Sequence, residues 1–211
     1  MRRYCMWFAR LRALQGEAAK GPMPTFSLNH ILLAVMLIDV GYVGRKQLAH
    51  GLGLGEGATR TLIGKLKGAG LARTIASGCT LTQEGRLVSR ELLTVMRTFQ
   101  PPSVGPPGRE ASGVRLRGLA GFVARGLEER DAAVRAGADG AMVLVKEDGR
   151  IKMPGLADMT QEHPEEADAL QRSVDLADGD VALISWAESK QQANAASMAA
   201  AVSVLSRSFA S

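Results

Sequence analysis

Hydrophobic positions crowd together from Ser27 onward. In "SLNHILLAVMLIDV" they run almost unbroken, which predicts a buried helix with Ser27 as its N-cap. Further on, "RKQLAHGL" sets Leu48, Ala49 and Leu52 at helical spacing among Lys46, Gln47 and His50, the pattern of a short amphipathic helix. Gly53 suits a turn that needs a left-handed residue, and another helix starts near Gly55 or Glu56. In that helix Leu62, Ile63, Leu66 and Ala69 share one face, while Arg60, Thr61 and Lys65 point away from it. Gly70 supplies its stop. Two short runs, Leu71 to Ile75 and Cys79 to Thr82, are joined by Ala76, Ser77 and Gly78 and read as a hairpin. Thr82 then caps a helix expected from Gln83 to Arg97.

The period is lost over "QPPSVGPPGREASG", residues 100–113, where two Pro-Pro pairs predict a linker that is stiff in its proline parts. Beyond it, "VRLRGLA" begins with the alternation of a half-buried strand, and "LEERDAAVRAGADG" predicts a short helix stopped at Gly137. "AMVLVKEDGRIKMPG" predicts a hairpin turning at Asp148 and Gly149. "HPEEADALQRSV" gives a helix with Pro164 at its first position and Ala167, Leu170 and Val174 on one face. A buried strand, "DVALISWA", and a final helix, "ESKQQANAASMAAAVSVLSRS", complete the order β, α, β, β, α, β, α. By order alone, the first six elements match the ferredoxin-like arrangement. The last helix has small side chains almost all round, so it either covers the sheet's second face or forms a dimer contact. The chain therefore reads as α+β, with an N-terminal extension (1–24), a helical domain with a hairpin (25–99), a linker (100–113) and a C-terminal α+β domain (114–211).

The glycines of "GLGLGEGATRTL" admit a second reading. Gly53, Gly55 and Ala58 fit the fingerprint of a dinucleotide-binding turn. That turn must follow a buried strand, and "GRKQLAHGL" has helical spacing instead; it also needs an acid about 20 positions on. No Asp or Glu occurs between Glu56 and Glu84. The cofactor reading fails on both counts, and no cofactor is expected.

The run "RKQLAHGLGLGEGATRTLIGKLKGAGLARTIASGCTLTQEG" resembles the winged helix-turn-helix domains of prokaryotic transcriptional regulators. It is similar to the DNA-binding segment of sugar-responsive regulators of the glycolytic repressor type. It is also similar to a set of archaeal two-domain regulators whose C-terminal half is uncharacterised. The resemblance covers about residues 25–97. It implies that Glu56, Arg60, Thr61 and Lys65 lie on the groove face of a recognition helix, with Arg45 and Lys46 on nearby phosphates and Arg73 and Ser77 in the wing. Gly57 and Gly64 stand where larger polar residues are usual, which leaves fewer side chains to read bases.

Charge sharpens this picture. Residues 1–100 carry 14 Lys and Arg against 5 Asp and Glu, a balance of +9, and residues 101–211 carry 12 against 16, a balance of −4, which sum to the chain's +5. A basic half holding the helix pair suits phosphate binding, and an acidic half does not. If DNA is the partner, Arg45, Lys46, Arg60, Lys65 and Arg73 should share one exposed face. The two cysteines, Cys5 and Cys79, lie far apart without metal-ligand spacing, so no metal is expected and a reduced, cytoplasmic setting is. "MRRYCMWFARLRALQ" is interrupted by Arg10 and Arg12, and no signal peptide is expected. "ILLAVMLI" and the charge-free run from Gln191 to Ser206 both fall short of the roughly 20 apolar residues a membrane span needs.

Catalysis has little support. His30, His50 and His163 form no triad or metal pattern, and the acids of "LEERD", "KEDG" and "HPEEAD" sit at helix starts and turns, so no catalytic residue is expected. A ligand has one candidate place, the strand-to-helix junction "ISWAESKQQAN". There Ser189 and Lys190 offer backbone N–H groups and charge to an anion, Glu188 lies beside them, and Trp186 offers a stacking surface, unless Ser189 is only a helix cap and Trp186 only core. The sequence thus points to a DNA-binding transcriptional regulator. It is expected to act as a homodimer on double-stranded DNA, with a C-terminal domain for assembly and small-molecule sensing. Two alternatives stay open: an enzyme carried by the C-terminal half, and a winged helix that binds protein.

Overall fold

The computed structural model describes residues 4–16, 26–102 and 104–209. The chain divides into two compact units, Met1–Thr94 and Val95–Ser211.

The first unit is built on α2 (Leu28–Asp39), whose Ile31, Leu32, Leu33, Ala34, Val35 and Ile38 are all buried. Full burial of each large aliphatic side chain contributes about 1.5–3 kcal/mol, which makes α2 the unit's keel. His30 closes its first turn, for the Ser27 backbone N–H donates to His30 Nδ1 at 3.2 Å. Next come α3 (Arg45–Leu52) and α4 (Glu56–Gly68), with Gly53 between them in the left-handed region at φ 65°. α3 buries Leu48, Ala49 and Leu52, and α4 buries Thr59, Leu62, Ile63 and Leu66. The antiparallel hairpin β1 (Ala72–Ile75) and β2 (Gly78–Leu81) follows, and α5 (Gln83–Val95) runs to the unit boundary. Gly85 lets α5 start hard against the hairpin, since a Cβ there would collide with the Leu71 carbonyl oxygen.

Two expectations for this half need correction. Residues 4–13 are not a bare extension but a helix, α1 (Tyr4–Ala13), with Trp7, Phe8 and Leu11 buried and the two rings edge to face at 5.6 Å. Of the two arginines that interrupt its apolar run, Arg10 is a docking group: it donates to the Ala69 carbonyl at 3.1 Å and pairs with Glu84. Residues 17–25 lie outside the described residues, and with them most of the rest of that expected extension. The other correction concerns α5, which stops at Val95 and not at Arg97. Met96–Phe99 forms β3 instead. The Pro-Pro pair just ahead disfavours helix, and the open edge of the next strand satisfies this segment's backbone groups.

The second unit holds a six-stranded antiparallel sheet in the order β3, β4 (Glu110–Leu116), β8 (Val181–Ala187), β5 (Gly140–Glu147), β6 (Arg150–Met153), β7 (Ala157–Asp158). Val114 lies opposite Leu183, and Leu183 opposite Val143, so these residues share one face. That face is covered by α6 (Leu127–Arg135) and α9 (Lys190–Ser208), with Ser197 of α9 donating to Ser112 of β4 at 3.3 Å. Against the other face, Leu144, Ala182 and Ile184 form a core with Met159 of α7 (Met159–Glu162) and with Ala167 and Leu170 of α8 (Pro164–Val174).

The unit is therefore mixed α+β, but it departs from the ferredoxin-like order. In that arrangement the third strand inserts between the first two and both helices share one face. Here β8 inserts between β4 and β5, and helices cover both faces. The Asp148–Gly149 turn, with both residues at positive φ, folds β6 onto the outer side of β5 and leaves its inner side to β8. α9 is a core helix, with Ala193, Ala196, Ala200, Ala201 and Val204 each at most 1% exposed. Its small side chains let it lie close on the sheet. The proline stretch is also less of a tether than its composition suggests: Glu110–Gly113 belong to β4, Pro101 is buried, and Gly105 packs on the Trp186 ring.

Candidate functional site

α4 and the β1–β2 hairpin enclose a cleft of about 320 Å³, lined by Arg45, Arg60, Lys67, Gly64, Thr74 and Ile75 among others. Helical geometry explains the alignment, because Glu56, Arg60, Gly64 and Lys67 follow one another at spacings of four, four and three along one face of α4. The hairpin wall is held in place through Gly78. Its φ is +135°, and a Cβ there would come within 2.7 Å of the Val43 carbonyl oxygen. The glycine permits a bridge in which Cys79 N–H donates to Val43 O at 2.8 Å and Val43 N–H to Cys79 O at 3.0 Å. The Cys79 thiol is buried behind this wall, and that burial raises its pKa against the opposing pull of Lys67. Its chemistry there is that of a packed thiol.

Electrostatics at the helix starts point the same way. Gly44 and Gly55 are the N-caps of α3 and α4, and neither helix has a side-chain cap. Arg45 and Lys46 occupy the first turn of α3, where the helix dipole disfavours cations and no acid is present. Arg45 has Glu56 at 3.8 Å, with both side chains about half exposed, so the pairing is weak. A stability-driven sequence would place an acid or a capping side chain at the start of α3, as α4 does with Glu56 in its first turn. An external anion would find cations and unpaired N–H groups there.

The five cations expected to share one exposed face if DNA is the partner do not all do so: Lys65 and Arg73 depart from it, and that scatter weighs against the DNA reading as the sequence alone frames it. Arg45, Lys46, Glu56, Arg60 and Thr61 are exposed, and Arg45 and Arg60 meet in the cleft. Lys65 is turned onto α1, where its ammonium donates to the carbonyls of Leu14 at 2.8 Å and Gln15 at 3.1 Å, with the Phe26 ring 5.8 Å away. It caps the end of α1, a helix that the local pattern of residues 1–24 does not announce. Arg73 and Ser77 are exposed, but Arg73 faces the opposite side of the hairpin, toward α5. Lys67 was missed, although it stands seven residues after Arg60 and so on the same helix face.

At the junction in the second unit, each named side chain has a structural partner or stays outside. Ser189 caps α9, reciprocally with Gln192. Lys190 donates to the Ala111 carbonyl and the Gln100 side chain, and burial lowers its pKa while Glu110 opposes the shift. Trp186 packs against Gly105 and Gly140, neither of which has room for a Cβ beside the ring, and Glu188 is exposed. This is the capped-helix and packed-core arrangement. Among the described residues, no group of three His, Cys, Asp or Glu is placed to hold a metal ion, and no helix is long and apolar enough to cross a membrane.

Comparison with known proteins divides at the same place as the fold. Residues 27–87 match the model of the PH0730-like N-terminal domain, and residues 107–204 match a domain of unknown function, DUF4443. The chain is similar to the solved structure of the hypothetical protein PH0730 from Pyrococcus horikoshii OT3. The identity is 28% and the TM-score 0.71, over 87% of this chain and 95% of that one. No curated protein matches.

Proposed function

We propose that the first unit binds double-stranded DNA as a winged helix-turn-helix, and that the chain, similar in both halves to the Pyrococcus protein, is a transcriptional regulator and not an enzyme. The observation that carries this reading is the convergence of Arg45, Arg60 and Lys67 on one cleft between a helix and a hairpin. In this reading α3 and α4 are the helix pair, α4 enters the major groove, and the β1–β2 hairpin is the wing. Arg60 and Lys67 reach base edges or the adjoining phosphates, while Arg45, Lys46 and the uncapped N–H groups of α3 meet the backbone. The +9 balance of residues 1–100 supplies the long-range attraction.

Gly57 and Gly64 are exposed and face open space, so base reading falls to few side chains and DNA shape carries part of the preference. Recognition of a two-fold site needs two copies, and assembly, with any sensing of a small molecule, is assigned to the second unit. Arg60→Ala tests the reading. It should lower affinity for the preferred duplex by about 1–3 kcal/mol and flatten the preference over competing sequences. Unaltered affinity together with unaltered preference in a titration would take Arg60 out of the interface.

A further inference from the structure

A second basic cleft lies in the first unit, across the hairpin from the first. It has a volume of about 500 Å³ and is walled by Arg73 of β1 and by Arg86 and Arg90 of α5, with Thr82 and Leu87 beside them. Arg86 and Arg90 stand one helical turn apart, a like-charged pair whose members repel. Arg73 adds a third guanidinium from the strand. All three are exposed, and among the described residues no ion pair joins any of them to a carboxylate. Of the two acids on α5, Glu84 is engaged by Arg10 of α1. The walls are fixed rather than fortuitous, because Gly85 seats α5 directly against the Leu71 carbonyl and thereby holds Arg86 close to β1. Leu87, 49% exposed between the two arginines, gives the cleft an apolar floor suited to sugar carbons.

Fold stability does not account for three converging cations. Guanidinium groups recognise phosphate oxygens through paired N–H donors, and three of them lining one cleft match successive phosphates of a backbone better than a single anion. β1 separates the two basic clefts, with Arg73 bordering one and Thr74 and Ile75 the other. We propose that the α5 cleft is a second phosphodiester site, gripping the backbone of the same duplex that α4 reads, so that the hairpin is straddled by DNA contacts on both sides. This inference rests on the DNA-binding reading. It assigns α5 a role in affinity and register without sequence readout.

The full chain and its Arg86→Gln, Arg90→Gln double variant should be titrated with one duplex across a salt series. Each phosphate contact contributes roughly 0.9 to the slope of log K against log salt, so the double variant should bind more weakly with a slope shallower by about 1.8. Its ranking of duplex sequences should match that of the parent. The Arg86→Lys, Arg90→Lys variant keeps the charge and should restore most of the slope, which separates lost phosphate contacts from local unfolding. A parent slope retained in the glutamine variant overturns the second site and leaves the α4 reading standing. A glutamine variant that changes sequence ranking also overturns it, because the cleft would then read bases. If the parent chain binds no duplex at all, the DNA reading itself fails, and binding of anionic vesicles or inorganic phosphate at these arginines would reassign the cleft.

Discussion

Single side chains decide what the first unit can present. Lys65 and Lys67 lie two residues apart on α4, and helical geometry sends one to the α1 carbonyls and the other into the cleft. Lys65→Ala should therefore cost about 1–2 kcal/mol in urea unfolding, since it removes a charged donor from two carbonyls, with little effect on DNA affinity at temperatures where the fold holds. Lys67→Ala should do the reverse. Equal effects of the two changes on both measurements would show that the faces are misassigned. His30 carries the pH dependence. Its pKa is lowered by burial, so folding disfavours the protonated ring, and Nδ1 is needed unprotonated to accept from the Ser27 N–H. Its contribution is intact above the unfolded pKa of about 6.5 and is lost as pH falls below that value toward the folded pKa. His30→Gln should flatten this part of the stability profile, and a parent profile that rises as pH falls through this window would contradict the assignment.

At the scale of elements, the sequence carried the helix pair, the hairpin and the C-terminal strands because each is set by local period and turn chemistry. Leu62, Ile63 and Leu66 mark the inner face of α4, and Asp148–Gly149 marks the β5–β6 turn. What was illegible depended on distant partners. α1 is amphipathic only once Arg10 is known to reach Ala69 and Glu84, and β3 is a strand only because β4 offers an edge to Met96–Phe99. The order of the sheet likewise turns on where β8 inserts, which no local pattern encodes. The candidate site was legible in part for the same reason. Arg45 and Arg60 follow from the helix pair, whereas the diversion of Lys65 and the separation of Arg73 follow from packing. α9 gives the sharpest test at this scale, since the sequence left its alanines between a core and an interface. Ala200 is 1% exposed, so Ala200→Glu should destabilise the second unit, on the order of 4 kcal/mol or more, through burial of an unpaired charge. A folded monomer in scattering would place Ala200 at an interface instead.

For the whole molecule, the two units divide the charge as well as the fold. The basic balance lies in residues 1–100, where Arg45, Arg60 and Lys67 line one cleft and Arg73, Arg86 and Arg90 another across the hairpin, and the acidic balance lies in residues 101–211. That division predicts a protein whose first unit is drawn to nucleic acid and whose second is not. The central claim is that the α4 cleft engages duplex DNA through its cations. It is tested most directly by titrating the full chain with a pool of random duplexes at increasing salt, beside the Arg60→Ala, Lys67→Ala double variant. The account predicts binding that weakens steeply, by roughly 0.9 log units per phosphate contact for each tenfold rise in salt, and a double variant with lower affinity and a shallower slope. No binding at low salt, or a double variant indistinguishable from its parent in affinity and slope, would contradict it.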